Sequence, residues 1–163
     1  MKTLVLWLPI VAVVAHVIEE FVWPGGFVQW YRNYPPGFSA TVSVRFLVIV
    51  NFVFAALALL PPVLGSTDLG FAWWVVVAAI AGMNGLFHLF ASFQTRSYSP
   101  GLVTGLVLYL PLAGFGGTQL HRQGLVSGGT LMQAVLLAVG YQVWSTWNHK
   151  RHAVRTHALV IDR

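Results

Sequence analysis

The sequence has no cysteine and very little charge. Its 163 residues include nine lysines and arginines and four aspartates and glutamates, so charged side chains make up 8% of the chain. Soluble domains carry about 25% charged residues, and small ones leave much of their surface in water. The lack of cysteine excludes disulfides and thiolate chemistry. The scarcity of charge excludes an ordinary water-soluble fold.

Long hydrophobic runs stand where charge is missing, and 57% of the residues are hydrophobic. Five runs are long enough to cross a hydrocarbon core of about 30 Å as helices: 4–23, 44–64, 71–93, 102–120 and 130–147. The fourth is the weakest, because Pro111 and the glycines after it should kink or shorten the helix. We therefore predict an all-α polytopic membrane helical bundle of about five transmembrane helices. It should form one domain over residues 1–148, with a basic cytoplasmic tail over 149–163.

The basic residues are divided unequally between the two ends of these spans. One end has Lys2 and Arg122, whereas the other has Arg32, Arg45, Arg96, Lys150, Arg151, Arg155 and Arg163. The positive-inside rule therefore predicts an outer N-terminus and a cytoplasmic C-terminus, in the inner membrane of a bacterium. Because the basic residues crowd into a tail, we expect membrane lipids as partners and no nucleic acid.

Three ionisable residues lie within the first run. His16 and Glu20 are about 40° apart around a helix, and Glu19 is about 60° to the other side of His16, so all three share one face. A charge at mid-membrane costs about 2.5–3.5 kcal/mol, and such residues normally face the bundle interior and find partners. The pattern indicates a functional centre.

The predicted topology brings further polar residues to the same depth, near the cytoplasmic leaflet. Asn84 and His88, on the third span, share a face and should lie beside the first span. We predict that the catalytic residues are His16, Glu19, Glu20, Asn84 and His88. We predict that the substrate is contacted by Trp30, Arg45, Asn51, Tyr98 and Gln142. Trp30 belongs to the aromatic connection 24–40, which is typical of an interfacial belt or of a lid.

Three motifs resemble those of the HXXEE family of membrane proteins. His16-Val17-Ile18-Glu19-Glu20 resembles the signature itself. The later segments Asn84-Gly85-Leu86-Phe87-His88 and Tyr98-Ser99-Pro100-Gly101 are similar to that family's N-x-x-x-H and Y-x-P-G motifs. The resemblance implies that the motifs share a site. It implies no particular reaction, because the family's activity is uncharacterised.

Two enzymatic mechanisms suit this set of residues. The first is the acid–base chemistry of an isomerase or cyclase and needs no cofactor. A carboxylic acid among apolar side chains donates a proton to a lipophilic, isoprenoid- or polyene-like substrate. A second carboxylate or an aromatic ring then stabilises the positive charge that develops on the substrate. The second is a metal-dependent hydrolase or oxidoreductase, with Zn or Fe bound by His16, Glu20 and His88 and with Glu19 as a base.

Two other roles remain open for the chain. A proton-coupled transporter needs a polar path across the whole bilayer, and the stretches 4–14 and 71–81 carry no charge. A non-enzymatic membrane subunit needs only helix contacts, in which a glutamate could pair with Arg45 to join two helices. A pocket that opens sideways to lipid favours an enzyme, whereas a polar path through the outer half favours transport.

Overall fold

A computed structural model describes residues 2–34 and 44–161, and this part of the chain is helical and has no β-strand. The first half forms α1 (Lys2–Val5), α2 (Leu8–Phe21), α3 (Phe27–Arg32), α4 (Val44–Ala58) and α5 (Leu60–Leu64). The second half forms α6 (Asp68–Thr95), α7 (Leu102–Thr104), two π-helical turns (Gly105–Tyr109 and Leu112–Gly116), α8 (Gly117–Arg122) and α9 (Gly128–Ile161).

Four helical stretches in the described part are long and apolar enough to cross a membrane: Thr3–Phe21, Val44–Leu64, Asp68–Thr95 and Leu102–Arg122. They coincide with the first four predicted spans, which confirms an all-helical protein with membrane-spanning helices. The fifth predicted span, 130–147, lies within α9, where Gln133 and Gln142 interrupt the apolar sequence. The backbone of the predicted tail continues α9 to Ile161, and side chains beyond Trp147 lie outside the described residues.

The fourth stretch is distorted as its sequence suggests, but it is not shortened. Proline lacks an N–H group and its ring crowds the preceding turn, so an ordinary α-helical turn does not fit around Pro111. Two π-helical turns flank this proline, and the helix continues through them to Arg122. Such wide turns often occur at functional sites.

The long helix α6 is central, and it packs against α9, α5 and the π-helical turns. Glycines allow the closest approach: a Cβ atom on Gly85 would lie 2.8 Å from the carbonyl oxygen of Gly105, and one on Gly82 would lie 2.7 Å from Cβ of Ala113. Small residues at such contacts are the usual means of packing helices in lipid. Gly82, Gly85 and Gly105 therefore bring α6 and the fourth stretch close together.

Candidate functional site

The site begins on α2, where His16 and Glu20 lie one turn apart on the buried face. Their side chains are 1% and 4% exposed, and Nε2 of His16 lies 3.5 Å from Oε1 of Glu20. The opposite face of α2 carries exposed apolar side chains such as Val14 and Ile18. The helix therefore directs its polar residues into the bundle and its apolar ones outward.

The helix α6 adds a second imidazole to this pair. Nε2 of His88 lies 3.3 Å from the same Oε1 atom of Glu20, and the two imidazole centroids are 5.0 Å apart. The predicted meeting of the two histidines is thus confirmed. We call His16, Glu20 and His88 the His–Glu cluster. Its three nearest ligand atoms all lie within 4.8 Å of one another, and all three residues are buried.

A hydroxyl group holds the Nδ1 atom of each imidazole. Thr104 Oγ1 lies 2.8 Å from Nδ1 of His16, and Ser99 Oγ lies 2.9 Å from Nδ1 of His88. Both Nε2 atoms are thereby turned towards Glu20. A hydrogen bond at the second nitrogen is the usual arrangement around metal-binding histidines, because it fixes both the tautomer and the ring orientation.

The Nε2 atoms differ in their other contacts. The amide Nδ2 of Asn84 lies 3.0 Å from Nε2 of His16, which places this predicted catalytic residue at the edge of the cluster. One buried side-chain atom among the described residues, Nε2 of His88, makes no hydrogen bond. A buried polar atom left in this state costs about 1–3 kcal/mol, so this nitrogen is available to an ion, an ordered water or a substrate.

The separations within the cluster suit a metal ion. Tetrahedral ligands with bonds of about 2.0–2.1 Å to Zn²⁺ lie about 3.3 Å from one another. Each histidine Nε2 lies 3.3–3.5 Å from the carboxylate oxygen, so these two separations match, and the three ligand atoms all lie within 4.8 Å of one another. Two imidazoles and one carboxylate also form the donor set of non-haem Fe²⁺ sites. The residues present therefore fit either ion.

Glu19 points away from the cluster, into the segment that follows α6. Its Oε1 atom accepts hydrogen bonds from the Tyr98 hydroxyl and from the backbone N–H groups of Gly101 and Val103. Its Oε2 atom accepts from the N–H group and the hydroxyl of Thr104. Partial burial, together with the bond to Glu19, raises the pKa of the Tyr98 phenol, so this group stays a donor.

Gly101 lies between the two imidazoles. A Cβ atom at this position would lie 2.7 Å from Cε1 of both His16 and His88, and the backbone φ is +101°. Glycine adopts such an angle without the steric cost that an L side chain brings. The glycine that ends the Tyr98–Gly101 motif is therefore part of the site.

Aromatic side chains close the cluster. The Phe27 ring, on α3, lies 5.6 Å from that of His88, and the Tyr109 ring lies 4.4 Å from that of His16. Trp30 donates to Ser97 Oγ at 3.1 Å, which helps to hold α3 against the end of α6. This half of the aromatic connection is thus a cover over the cluster. Residues 35–40 of the same connection lie outside the described residues.

Four residues predicted to contact the substrate are not in the cluster. Asn51 donates to the carbonyl of Leu47 in its own helix, Arg45 is exposed, and Gln142 is half-buried on α9. Trp30 reaches the cluster only through its contact with Phe27. Within the described residues, the Glu20 carboxylate contacts two imidazoles, which argues against a pair with Arg45 that joins two helices. The fifth, Tyr98, contacts Glu19.

Sequence reasoning missed several residues that hold the cluster: Phe27, Ser99, Thr104 and Tyr109. Ser99 lay inside a recognised motif, but hydroxyl and aromatic residues are common in apolar spans and carry no distinctive signal. Thr104 follows Gly101 by three residues, and this spacing brings it to the N-terminal turn that surrounds Glu19. Thr104 can be recognised as part of the site only from the way this turn folds around Glu19.

A half-open apolar groove of about 380 Å³ lies between α1–α2 and the fourth stretch. Its lining is apolar apart from Gln119 and Gln123, and it contains no titratable side chain. The end nearest the cluster is lined by Ala12 and Leu108, each four residues from His16 or Thr104, or about 6 Å along a helix. The groove thus lies within the apolar stretches and ends about one turn from the cluster.

Comparisons with known proteins give one family and one relative. The family described as "Protein of unknown function with HXXEE motif" matches residues 7–115. The chain is 27% identical over 129 residues to the uncharacterised protein YrkK of Bacillus subtilis (strain 168), a match that covers 77% of this chain and 80% of that protein. No solved structure matches the chain.

Proposed function

The chain belongs to the HXXEE family, and we propose that it is a membrane-embedded, metal-dependent enzyme whose catalytic centre is the His–Glu cluster. The observation that carries the proposal is the convergence of His16, Glu20 and His88 at ligand-like separations, with Nε2 of His88 lacking a hydrogen bond. Packing of helices in lipid does not require such groups, since glycines already serve it here.

The chain's own residues have separate tasks in this proposal. Zn or Fe, bound by His16, Glu20 and His88, would supply the Lewis-acid chemistry of a hydrolase or the redox chemistry of an oxidoreductase. Ser99 and Thr104 orient the imidazoles, as their 2.9 and 2.8 Å contacts indicate. Phe27 and Tyr109 limit access of water, and the Asn84 amide offers a donor to a bound substrate.

The proposed substrate is lipophilic, of the isoprenoid or polyene kind, and enters from the membrane. The apolar groove supports this class, because its 380 Å³ falls within the range of about 300–1,000 Å³ typical of small-molecule sites. Its lining without titratable groups speaks against a proton-coupled transporter, which would need ionisable residues along the outer half of the bundle.

A second candidate is acid–base chemistry without a metal, in an isomerase or cyclase. It is favoured by the 3.0 Å contact between Asn84 Nδ2 and His16 Nε2, because this contact occupies a nitrogen that a metal would also use. Glu20, which lies between the two imidazoles, would then donate a proton to the substrate and later recover one. The rings of Phe27 and Tyr109 would stabilise a developing positive charge on the substrate.

Metal analysis of the purified protein separates the two candidates. We expect about one Zn or Fe per chain and its loss in His88→Ala. His121→Ala is the matched control, since Nδ1 of this histidine bonds the Val126 carbonyl at 3.0 Å outside the cluster, and it should keep the metal. Wild-type protein that is folded, active and metal-free would overturn the metal proposal in favour of acid–base chemistry.

We further propose five membrane spans, with residues 130–147 of α9 as the fifth, an outer N-terminus and a cytoplasmic C-terminus. The uneven division of lysine and arginine supports this orientation. It puts the cluster near the cytoplasmic leaflet of a bacterial inner membrane, with the basic tail against anionic lipids.

The absence of native cysteine makes this orientation testable by single-cysteine labelling in intact cells. An impermeant maleimide should label Ser66→Cys and Ser127→Cys, which lie at exposed positions of the proposed outer connections. It should not label Ser97→Cys, which is exposed at the other end of the bundle. The reverse pattern would invert the proposed topology.

A further inference from the structure

The two adjacent glutamates of α2 have different surroundings. Glu20 faces two imidazoles, whereas both oxygens of Glu19 face the segment from Tyr98 to Thr104. Successive residues on a helix point about 100° apart, so neighbours naturally serve different partners. Glu19 therefore does not touch the reacting centre, although the sequence suggested a catalytic role for it.

Every described contact of the Glu19 carboxylate is with a donor. Three are backbone N–H groups, at 2.7–3.0 Å, and two are the hydroxyls of Tyr98 and Thr104. The three backbone N–H groups can only donate, and a carboxylate that accepts several such bonds is stabilised in its ionised form, which has no proton of its own to give. The Thr104 hydroxyl consequently gives its proton to Glu19.

This direction determines the proton on His16. A hydroxyl has one proton, so Thr104 Oγ1 can only accept from Nδ1 of His16, which lies 2.8 Å away. In the neutral imidazole, Nε2 then carries the lone pair. Asn84 Nδ2, an amide donor as its side chain is oriented, lies 3.0 Å from this nitrogen and can donate to it in this tautomer.

We infer that Glu19 is a positioning residue that acts through Thr104 to keep His16 in the tautomer with the proton on Nδ1 and the lone pair on Nε2. The inference deepens the proposed function. It rests on that function for what the Nε2 lone pair does, which is either to bind a metal or to receive a proton. The tautomer itself can be measured whichever chemistry the cluster performs.

A purely structural role for Glu19 has to be distinguished from this one. Four of its five hydrogen bonds, all except the one from the Thr104 hydroxyl, would order the segment whatever the tautomer of His16. Thr104→Val removes the hydroxyl and keeps the shape and the backbone N–H bond to Glu19. Thr104→Ser restores the hydroxyl and is the matched control. A role in ordering the segment depends little on this hydroxyl, whereas the tautomer depends on it entirely.

The experiment is ¹⁵N NMR of metal-free, histidine-labelled full-length protein in detergent micelles, with the His16 signals assigned by their absence in His16→Gln. We expect only the Nδ1–H tautomer in the wild type and in Thr104→Ser, and a mixture with Nε2–H in Thr104→Val. A wild-type His16 protonated on Nε2, or a Thr104→Val variant that keeps the pure wild-type tautomer, would overturn the inference.

Zinc titration of the same proteins gives the functional readout. Loss of a group that orients a ligand lowers metal affinity by about 10–100-fold, which we expect for Thr104→Val and Glu19→Gln but not for Thr104→Ser. If the wild type binds zinc and Thr104→Val binds it equally well, the inference fails while the metal proposal stands. If the wild type binds neither zinc nor Fe²⁺ in parallel titrations, the metal proposal fails and the tautomer measured in the wild type still decides the inference.

Discussion

Gly101→Ala should disrupt the His–Glu cluster from the backbone side. The new Cβ atom would stand 2.7 Å from Cε1 of both imidazoles, closer than carbon atoms normally pack. The rings cannot move freely, because hydroxyl groups hold both Nδ1 atoms and aromatic rings cover them. The segment that carries Gly101 is fixed in turn by Glu19. Either the rings or the segment must therefore shift.

Two effects contribute to the expected loss of stability. A positive φ costs an L residue about 1–2 kcal/mol, and overpacking a filled site costs about 1–3 kcal/mol. Gly101→Ala should thus lower the free energy of unfolding by about 2–5 kcal/mol. Gly26→Ala is the matched control, since its φ is +87° and nothing lies within 4 Å of the added Cβ. It should show only the backbone effect.

Both variants should be compared by reversible unfolding in detergent and by metal content per chain. We expect Gly101→Ala to be less stable than Gly26→Ala by about 1–3 kcal/mol and, under the metal proposal, to lose most of its metal content. Gly26→Ala should keep the metal. Equal stability and equal metal content in the two variants would refute the close packing of the backbone against the imidazoles.

Three further predictions follow from the same geometry. Glu20→Gln keeps the shape but removes the charge, so it should abolish metal binding and activity while the protein still inserts, and a collapse of its melting temperature would indicate a structural pair instead. Gly85→Ala places a Cβ atom 2.8 Å from the Gly105 carbonyl oxygen, so the free energy of unfolding should fall by about 1–3 kcal/mol. Because the pKa of Tyr98 is raised, its hydrogen bond to Glu19 should stabilise the protein fully up to about pH 10, and this contribution should decline as the pH rises from there towards the raised pKa. The difference in melting temperature between wild type and Tyr98→Phe should therefore stay constant through the neutral range and shrink in strong alkali.

The residues of the cluster could be predicted because they violate the composition around them. Histidine and glutamate at i and i+4 are costly in an apolar membrane helix, so they indicate a function or a buried partner. The order of the spans then brings α2 and α6 together at the same depth. The meeting of His16, Glu20 and His88 required only depth and helix periodicity, and both follow from the sequence.

The same reasoning did not show that Arg45 and Asn51 would lie outside the cluster, because depth is only one coordinate. The helix α4 is apolar around most of its circumference, so its sequence does not determine which side faces the bundle. Asn51 satisfies its amide on the Leu47 carbonyl and needs no partner from another helix for that group. A polar residue at the right level is thus a weak predictor of a site unless its own helix cannot satisfy it.

The different tasks of Glu19 and Glu20 could not be predicted either, because they depend on how the segment after α6 folds back. This segment supplies Ser99 to one imidazole and Thr104 to the other, and it inserts Gly101 between them. Glu19 holds the segment, and the segment holds the rings that face Glu20. The three motifs are therefore connected: the first two supply the cluster residues, and Glu19 holds the segment that begins at the third motif and contacts both imidazoles. Double variants such as Glu19→Gln with Thr104→Val should consequently lose less zinc affinity than the sum of the single losses, because both break the same connection to His16.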